Sequence, residues 1–566
     1  MAKTLIREAR PRDTVQIHLP DGRTYEGPVG TRLEEFIRVA CSRQEAPVVA
    51  ALVNREIRDL CWPVTQDCEV IPLTTATSDG LRILQRSLSL LLVVAARELF
   101  PEAQVLVDHS LTLSGLYCRL IGRDPLTEDE LARLETRMRE IAQADEPIVK
   151  ERLPLDEAKA IFQQQGYADK VRLLRYRTKD YLTVYRLRGV TDYFYGYLVP
   201  STGYLTTFAL HSYPPGFILR FPRRENPLVL PEYRDSPKLA AVFSEHTTWM
   251  NLLHINDVGS LNEAVESKRI REAILVSEAL HEDRIAAIAH QIADLRPHVR
   301  LVLIAGPTSS GKTTFSKRLA VQLLAHGVRP FTLEMDDYFV DREKTPRDEH
   351  GAYDFESLDA LDRSLLNRHL LQLFRGEEVM LPHYNFRLGK REEGPKARLR
   401  DDQIVIAEGI HGLNPDLLPD LPQGSVFRIY VSALTQLNLD MHNRIPTTDT
   451  RLLRRIVRDA RTRGYNAANT ISRWGSVTRS EALRIFPYQE NADAMFNSAL
   501  AYELAVLKPF VEPLLRQVEP GTLEYVEAKR LLAFLQWFLP CDSHLVPDNS
   551  ILREFIGDSI LADYMP

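Results

Sequence analysis

Apolar and polar residues alternate over Thr14 to Leu19, the chain turns at Pro20-Asp21-Gly22, and alternation resumes over Thr24 to Gly27. A period of two is what a half-buried strand requires. Helical spacing predicts a helix over Thr31 to Cys41, with further strands around Val48 to Val53 and Glu69 to Pro72. Helices follow over 81–99, Glu128 to Ala144 and Pro154 to Gln165, then Tyr-rich strands from Tyr181 to Tyr204. Arg224 to Pro297 reads as a connector with two helical stretches, the second from Glu278 to Leu295. After residue 300 the pattern changes to continuous apolar runs: Leu301 to Ala305, Pro330 to Met335, Gln403 to Ala407 and Val426 to Val431. Such runs, separated by helical stretches, predict strands covered on both faces, hence an α/β unit with a mainly parallel, doubly wound sheet.

Composition narrows the class without naming a function. The chain has 566 residues, 44% hydrophobic and 26% charged, with net charge −6. These values suit a folded protein of several domains and exclude a disordered, fibrous or disulfide-framework chain. The divisions expected are 1–76, 77–223, 224–297 and 298–566, as distinct parts in series. Leu88 to Ala96, the most apolar run, is far short of the roughly 20 residues of a membrane helix, and Met1 to Asp13 has no apolar segment like that of a secretory signal. A cytoplasmic location without membrane partners is expected. Five cysteines and no CxxC pair predict reduced, buried thiols.

The run Leu301 to Ala305 leads into Gly306-Pro307-Thr308-Ser309-Ser310-Gly311-Lys312-Thr313-Thr314 and then a helix to about Ala325. This is GxxxxGK[ST] between a strand and a helix, the context that makes a P-loop. Its glycines let backbone N–H groups face phosphate oxygens, with the positive end of the helix dipole behind them. Lys312 is expected to reach the β and γ phosphates of ATP or GTP, and Thr313 to ligate Mg²⁺. Two further strand ends carry acids, Asp336-Asp337 and Glu408-Gly409, where doubly wound sheets gather ligand-handling residues. Position alone leaves open which of Asp336 and Asp337 is functional.

Met441 to Arg484 holds ten arginines and no lysine, against Asp449, Asp459 and Glu481. Most are expected on a solvated helix face. A few are expected to form a lid over the P-loop, because guanidinium suits the spread charge of a transferring phosphoryl group.

With these motifs in hand, Leu301 to Phe510 resembles the uridine kinase and phosphoribulokinase branch of P-loop kinases. The matching segments are Met335-Asp336-Asp337-Tyr338-Phe339, Asp354-Phe355-Glu356, Pro382-His383-Tyr384-Asn385-Phe386, Glu408-Gly409, and Arg458-Asp459 through Arg463-Gly464. The resemblance implies that Asp336 accepts the proton of a nucleoside 5′-hydroxyl. Thr313, Asp336 and Glu408 then hold Mg²⁺, Lys312, Arg458 and Arg463 stabilise the transferring charge, Glu356 binds the ribose, and Tyr384 and Phe386 lie near the base. Four positions depart from the family: Glu356 replaces an Asp, Asn385 an Asp, Gly389 a His and Tyr465 an Arg. The phosphate machinery matches better than the base pocket.

The front of the chain resembles threonyl-tRNA synthetases. LPDGRTYEGPVGTRLEEF and ALVNREIRDLCWPVTQDCEVIPL match their TGS domain, a β-grasp fold, and LTEDELARLETRMREIAQADEPIVKERLPLDEAKAIFQQQGYADKV matches their α+β second additional domain. That domain's editing His and Cys positions are Arg86, Leu90, Phe194 and Leu198 here. None of these can do acid–base or metal chemistry at neutral pH, so the editing activity is not carried over. The neighbouring Tyr193, Tyr195 and Tyr197 are expected to be strand packing residues rather than a base-stacking surface. The combined order resembles a bacterial class of long nucleoside kinases, in which Pro547 to Gly557 would be a closing structural element. The expected activity is phosphorylation of uridine or cytidine. The alternatives are a nucleotide-responsive RNA-binding regulator and a phosphoribulokinase-like sugar kinase.

Overall fold

The computed structural model describes residues 12–41, 46–111, 115–347, 351, 353–385, 388–422 and 424–564. Thr14–His18, Thr24–Pro28, Val48–Val53, Glu56–Asp59 and Cys68–Thr74 form a five-stranded mixed sheet beside the helix Leu33–Ala40. Leu33, Phe36 and Ile37 of this helix are buried, as their spacing requires. The four-residue strand Glu56–Asp59 has too little alternation to stand out in the sequence.

The following region has the long helix Ser78–Leu99, the capped helix Glu128–Gln143 and two antiparallel sheets. Thr127 and Glu130 bond each other's backbone N–H groups, a capping box that fixes where the second helix starts. The expected strand region from Tyr181 to Tyr204 is corrected: strands occupy only Tyr181–Leu187 and Val190–Asp192. Tyr193, Phe194, Tyr195 and Tyr197 lie in the irregular segment that follows. The connector holds three helices rather than two, Pro237–Leu253, Val258–Glu266 and Ile270–Asp294.

Beyond it lies a five-stranded, all-parallel sheet in the order Arg329–Glu334, Gln403–Glu408, Leu301–Ala305, Val426–Ser432 and Ala494–Asn497. The P-loop strand is central, fully buried along its length, and flanked by strands whose carboxyl ends reach the same edge. An antiparallel hairpin, Glu378–Asn385 with Lys390–Arg398, stands off this sheet. The five cysteines are free, and among the described residues no helix is long and apolar enough to cross a membrane.

The parts are not simply strung in series. One continuous apolar core joins Phe162, Leu173 and Ile255 to Phe315, Leu319 and Ile429 of the P-loop sheet and its helix. A buried charge cluster fixes the same junction. Lys170 Nζ lies 2.9 Å from Asp192 and 2.8 Å from Asp440, and His442 Nδ1 is 2.6 Å from Asp192. Burial pulls the Lys170 ammonium down, but Asp192 and Asp440 outweigh it and hold it above its ordinary range. Burial likewise pushes Asp192 up, and Lys170 and His442 overcome this to hold it at about 2. Removing Lys170 takes the shared ammonium from the Asp192 and Asp440 carboxylates in a dry site, and breaking a buried pair in this way costs roughly 3–5 kcal/mol. Lys170→Met is therefore expected to lower the urea midpoint sharply; an unchanged midpoint would show that the cluster does not hold the two halves together.

Candidate active site

The P-loop is shaped by its small residues. A Cβ on Gly306 would sit 1.9 Å from the Val431 carbonyl oxygen, so the loop passes too close to its neighbouring strand for any side chain. Gly311 has φ +86°, and a Cβ there would also meet Ile551 at 2.4 Å. Ser309 adopts φ +57°, a left-handed conformation uncommon outside glycine. The helix Lys312–Ala325 begins immediately after Gly311, placing its N-terminus behind the loop.

Two arginines hold the loop from behind. Arg451 donates to the Thr308 carbonyl at 3.1 Å and forms a two-point pair with Glu481 at 2.6 and 2.8 Å. Glu481 in turn accepts the Thr308 N–H at 2.9 Å. Arg454 pairs with Glu503 at 2.6 Å and donates to the carbonyl of Ser498 at 2.8 Å. Both arginines lie on the helix Thr447–Arg463, and both are at most 1% exposed. The expected assignment of this run to a solvated face or lid is thus corrected for Arg451 and Arg454, which are internal braces.

Arg458, on the same helix, belongs to the electrostatic surroundings of Lys312. Burial lowers its proton affinity, and its charge helps depress that of Lys312. Arg463, half-exposed, shares Asp459 with Arg458 at 3.4 and 3.5 Å.

Four predicted residues converge at the strand ends. Lys312 Nζ donates to the Gly306 and Pro307 carbonyls at 3.0 and 3.2 Å. Its ammonium is pulled down by burial, against the attraction of Glu408. Thr313 Oγ1 donates to Glu408 at 3.2 Å. Burial raises Glu408, opposed by Lys312 and reinforced by the nearby charges of Glu554 and Asp336. Asp336 is raised by desolvation, with Glu334 adding repulsion and Lys312 countering it. These mutual effects mean that Lys312, Glu408 and Asp336 share one electrostatic site.

The structure separates the two adjacent aspartates. Asp337 accepts the Tyr384 N–H at 2.9 Å and meets His383 Nδ1 at 3.1 Å, tying the hairpin to the turn Met335–Tyr338. Asp336 makes no side-chain hydrogen bond among the described residues, and it is exposed. A fixed carboxylate and a free one thus stand side by side.

The Thr313 hydroxyl with the Asp336 and Glu408 carboxylates is a set of hard oxygen donors, and it fits Mg²⁺. No group of three or more acidic, His or Cys side chains forms a protein cage among the described residues.

Glu356 lies 4.0 Å from Arg484, which also binds Asp354 at 2.9 Å. Desolvation raises Glu356, while Ser480 and Arg484 oppose the rise. His411, beyond Glu408-Gly409, rests against the backbone of Glu356 and Ser357, and burial pushes it down to about 4. Tyr384 is 1% exposed and packs its ring on Phe339, with centroids 5.6 Å apart. Phe386 lies outside the described residues. Phe339, whose N–H donates to the Asp336 carbonyl at 3.3 Å, begins a chain of rings that has no base-binding role in the sequence expectations: Phe339 to Phe355 at 6.0 Å, and Phe355 to Tyr353 at 6.1 Å.

Residues 301–504 match the Phosphoribulokinase / Uridine kinase family. The P-loop, Asp336, Glu356, Glu408, Arg458 and Arg463 all fall within the matched segment. The N-terminal part is homologous to threonine–tRNA ligases. It is 35% identical over 199 residues to that of Acidovorax sp. (strain JS42), covering 35% of this chain and 31% of the ligase. Against the ligase of Laribacter hongkongensis (strain HLHK9) it is 36% identical over 200 residues, covering 34% and 31%. The chain thus spans about a third of the length of these relatives. A solved structure described as a possible uridine kinase from Bacillus stearothermophilus is 22% identical, with TM-score 0.26, covering 38% of this chain and 98% of that one.

Glu554 had no sequence signal. It belongs to the closing segment near the C-terminus and accepts the Thr314 N–H and hydroxyl at 3.2 and 3.0 Å. Only the fold brings it 240 residues back to the P-loop helix.

Proposed function

We propose that this protein transfers the γ-phosphate of ATP or GTP to the 5′-hydroxyl of a pyrimidine nucleoside, uridine or cytidine. The observation that carries this reading is the free Asp336 carboxylate, in one electrostatic site with Lys312 and Glu408 and beside the Phe339, Phe355 and Tyr353 rings. The P-loop amides and Lys312 would hold the donor phosphates. Mg²⁺, held by Thr313, Glu408 and Asp336, would neutralise the charge on the bridging oxygens. Asp336 takes the hydroxyl proton as the phosphoryl group moves in line. Arg458 and Arg463 face the developing charge, and the braced P-loop supplies positioning, which dominates in a loose transition state.

The rings favour a flat acceptor over a free sugar phosphate, because stacking on an aromatic side chain adds about 1–3 kcal/mol per base. Glu356, near Arg484, would take the ribose hydroxyls. A turnover screen of nucleosides, pentoses and pentose phosphates with ATP and GTP, read by product mass, is expected to yield nucleoside monophosphates. Phosphorylated sugars alone would replace this reading with the sugar-kinase one.

A further inference from the structure

The end of the chain reaches back onto the P-loop helix, and it lies outside the family match of residues 301–504. Its anchor is apolar. Ile551, Leu552 and Phe555 are fully buried, the Phe555 ring centre lies 5.0 Å from the Arg454 guanidinium, and Ile551 packs where a Cβ on Gly311 would meet it at 2.4 Å. Polar contacts secure the backbone. Arg461 donates to the Glu554 and Phe555 carbonyls at 2.8 and 3.2 Å, and Lys317 of the P-loop helix donates to those of Leu561 and Ala562 at 2.7 and 2.8 Å. The backbone of this segment is therefore held in place, while the half-buried side chain of Glu554 projects from it.

The Glu554 carboxylate does what a phosphate would do. The first N–H groups of an α-helix have no partner within it, and those that open the helix Lys312–Ala325 are the amides a P-loop turns toward phosphate. Phe315 N–H already bonds the Gly311 carbonyl at 3.0 Å, so Thr314 carries the last amide of this turn without a helical partner. One oxygen of Glu554 accepts it at 3.2 Å and accepts the Thr314 hydroxyl at 3.0 Å. Two donors of the phosphate cradle are thus filled by the protein's own anion. Its charge is felt across the site. It opposes the burial that pulls Lys312 and Arg458 down, and adds to the burial that pushes Glu408 up. A phosphate brought to the same amide meets a seated carboxylate, and two anions at that range repel. Arg458 offers the displaced carboxylate a counter-charge, because its Nε is buried with no hydrogen-bond partner among the described residues.

We propose that Glu554 is an internal competitor for the donor phosphates, seated on Thr314 until a nucleotide displaces its side chain, and that it thereby sets the affinity for the donor. This rests on the reading of the P-loop as a nucleotide site. Because the two anions exclude each other, the contact weakens donor binding by the same factor by which the donor weakens the contact. The rival role is that of a remote helix cap, and the two differ in sign. Losing a cap lowers stability and leaves donor affinity equal or weaker, whereas losing a competitor raises it. Calorimetric titration of the full-length chain with Mg·ADP and Mg·ATP would compare wild type with two variants. Glu554→Gln keeps the shape without the charge, and Glu554→Asp draws the carboxylate back from Thr314 by one methylene. Affinity for both nucleotides is expected to rise about three- to tenfold in Glu554→Gln, the reciprocal of the fraction of molecules in which Thr314 is open to the donor, and by a smaller factor in Glu554→Asp. The melting temperature without nucleotide should fall in both, since the helix loses a capping group. Wild-type or weaker affinity in Glu554→Gln, or in Glu554→Asp if the first variant does not fold, overturns the proposal and leaves Glu554 a cap beside an intact nucleotide site. Absence of nucleotide binding in wild type and variants alike removes the P-loop reading and this inference with it.

Discussion

Asp336→Asn is expected to lower kcat by roughly 10²- to 10⁴-fold, the usual contribution of a positioned general base, while nucleotide affinity stays nearly intact. Asparagine keeps the shape and an oxygen for the cation but cannot accept the acceptor's proton. The loss should not come from unfolding. Desolvation raises the Asp336 carboxyl above its ordinary range, so the folded state holds that proton more tightly than the unfolded chain does. Its charged form therefore costs stability above the raised pKa, and this cost fades as pH falls through it. The neutral amide removes the cost, and the melting temperature at neutral pH should hold or rise. A variant that keeps most of its turnover would take the base's role from Asp336 and return the question to Asp337. That residue is already committed to the Tyr384 N–H and His383.

Lys312→Ala should impair both binding and transfer. Its ammonium meets two P-loop carbonyls and is the cation that opposes the raised proton affinities of Asp336 and Glu408. Without it the site holds carboxylates and incoming phosphates with one fewer counter-charge. Turnover should fall by roughly 10²- to 10³-fold, the scale for removing one preorganised donor, and ATP affinity should fall with it. Calorimetric titration with Mg·ATP and initial rates on the same preparation would measure both, and unchanged values would contradict the P-loop role.

The P-loop and its sheet were legible because their signals are local. A continuous apolar run, a glycine pattern and a helix lie within some 25 residues, and the strand that delivers Glu408 is buried along its middle, while the edge strand that delivers Asp336 is only partly buried. The last strand, Ala494–Asn497, is four residues long and has too little sequence to show a period. Arg451 and Arg454 were misread for a different reason. A basic helix on its own looks solvated, and only partners such as Glu481 and Glu503, 30 and 49 residues onward, turn those charges inward. The rings at Phe339, Tyr353 and Phe355 come together through the turn after Asp336 and a separate loop, a juxtaposition that spacing does not encode. The Tyr193 to Tyr197 stretch looked like a packed strand, because alternating aromatics carry that pattern whether or not the backbone pairs. In the structure Tyr193 and Phe194 do pack into the core, with Tyr195 and Tyr197 against it, but from an irregular segment that also lines a cavity.

The most direct test is to incubate the purified chain with Mg²⁺, γ-labelled ATP or GTP, and uridine or cytidine, and to follow the label and the product mass together. The expected result is a nucleoside 5′-monophosphate carrying the label, formed by the wild type and nearly abolished in Asp336→Asn. Nucleotide binding with no monophosphate from either nucleoside, or equal yields from wild type and variant, would contradict the assignment of this site as a nucleoside kinase centre.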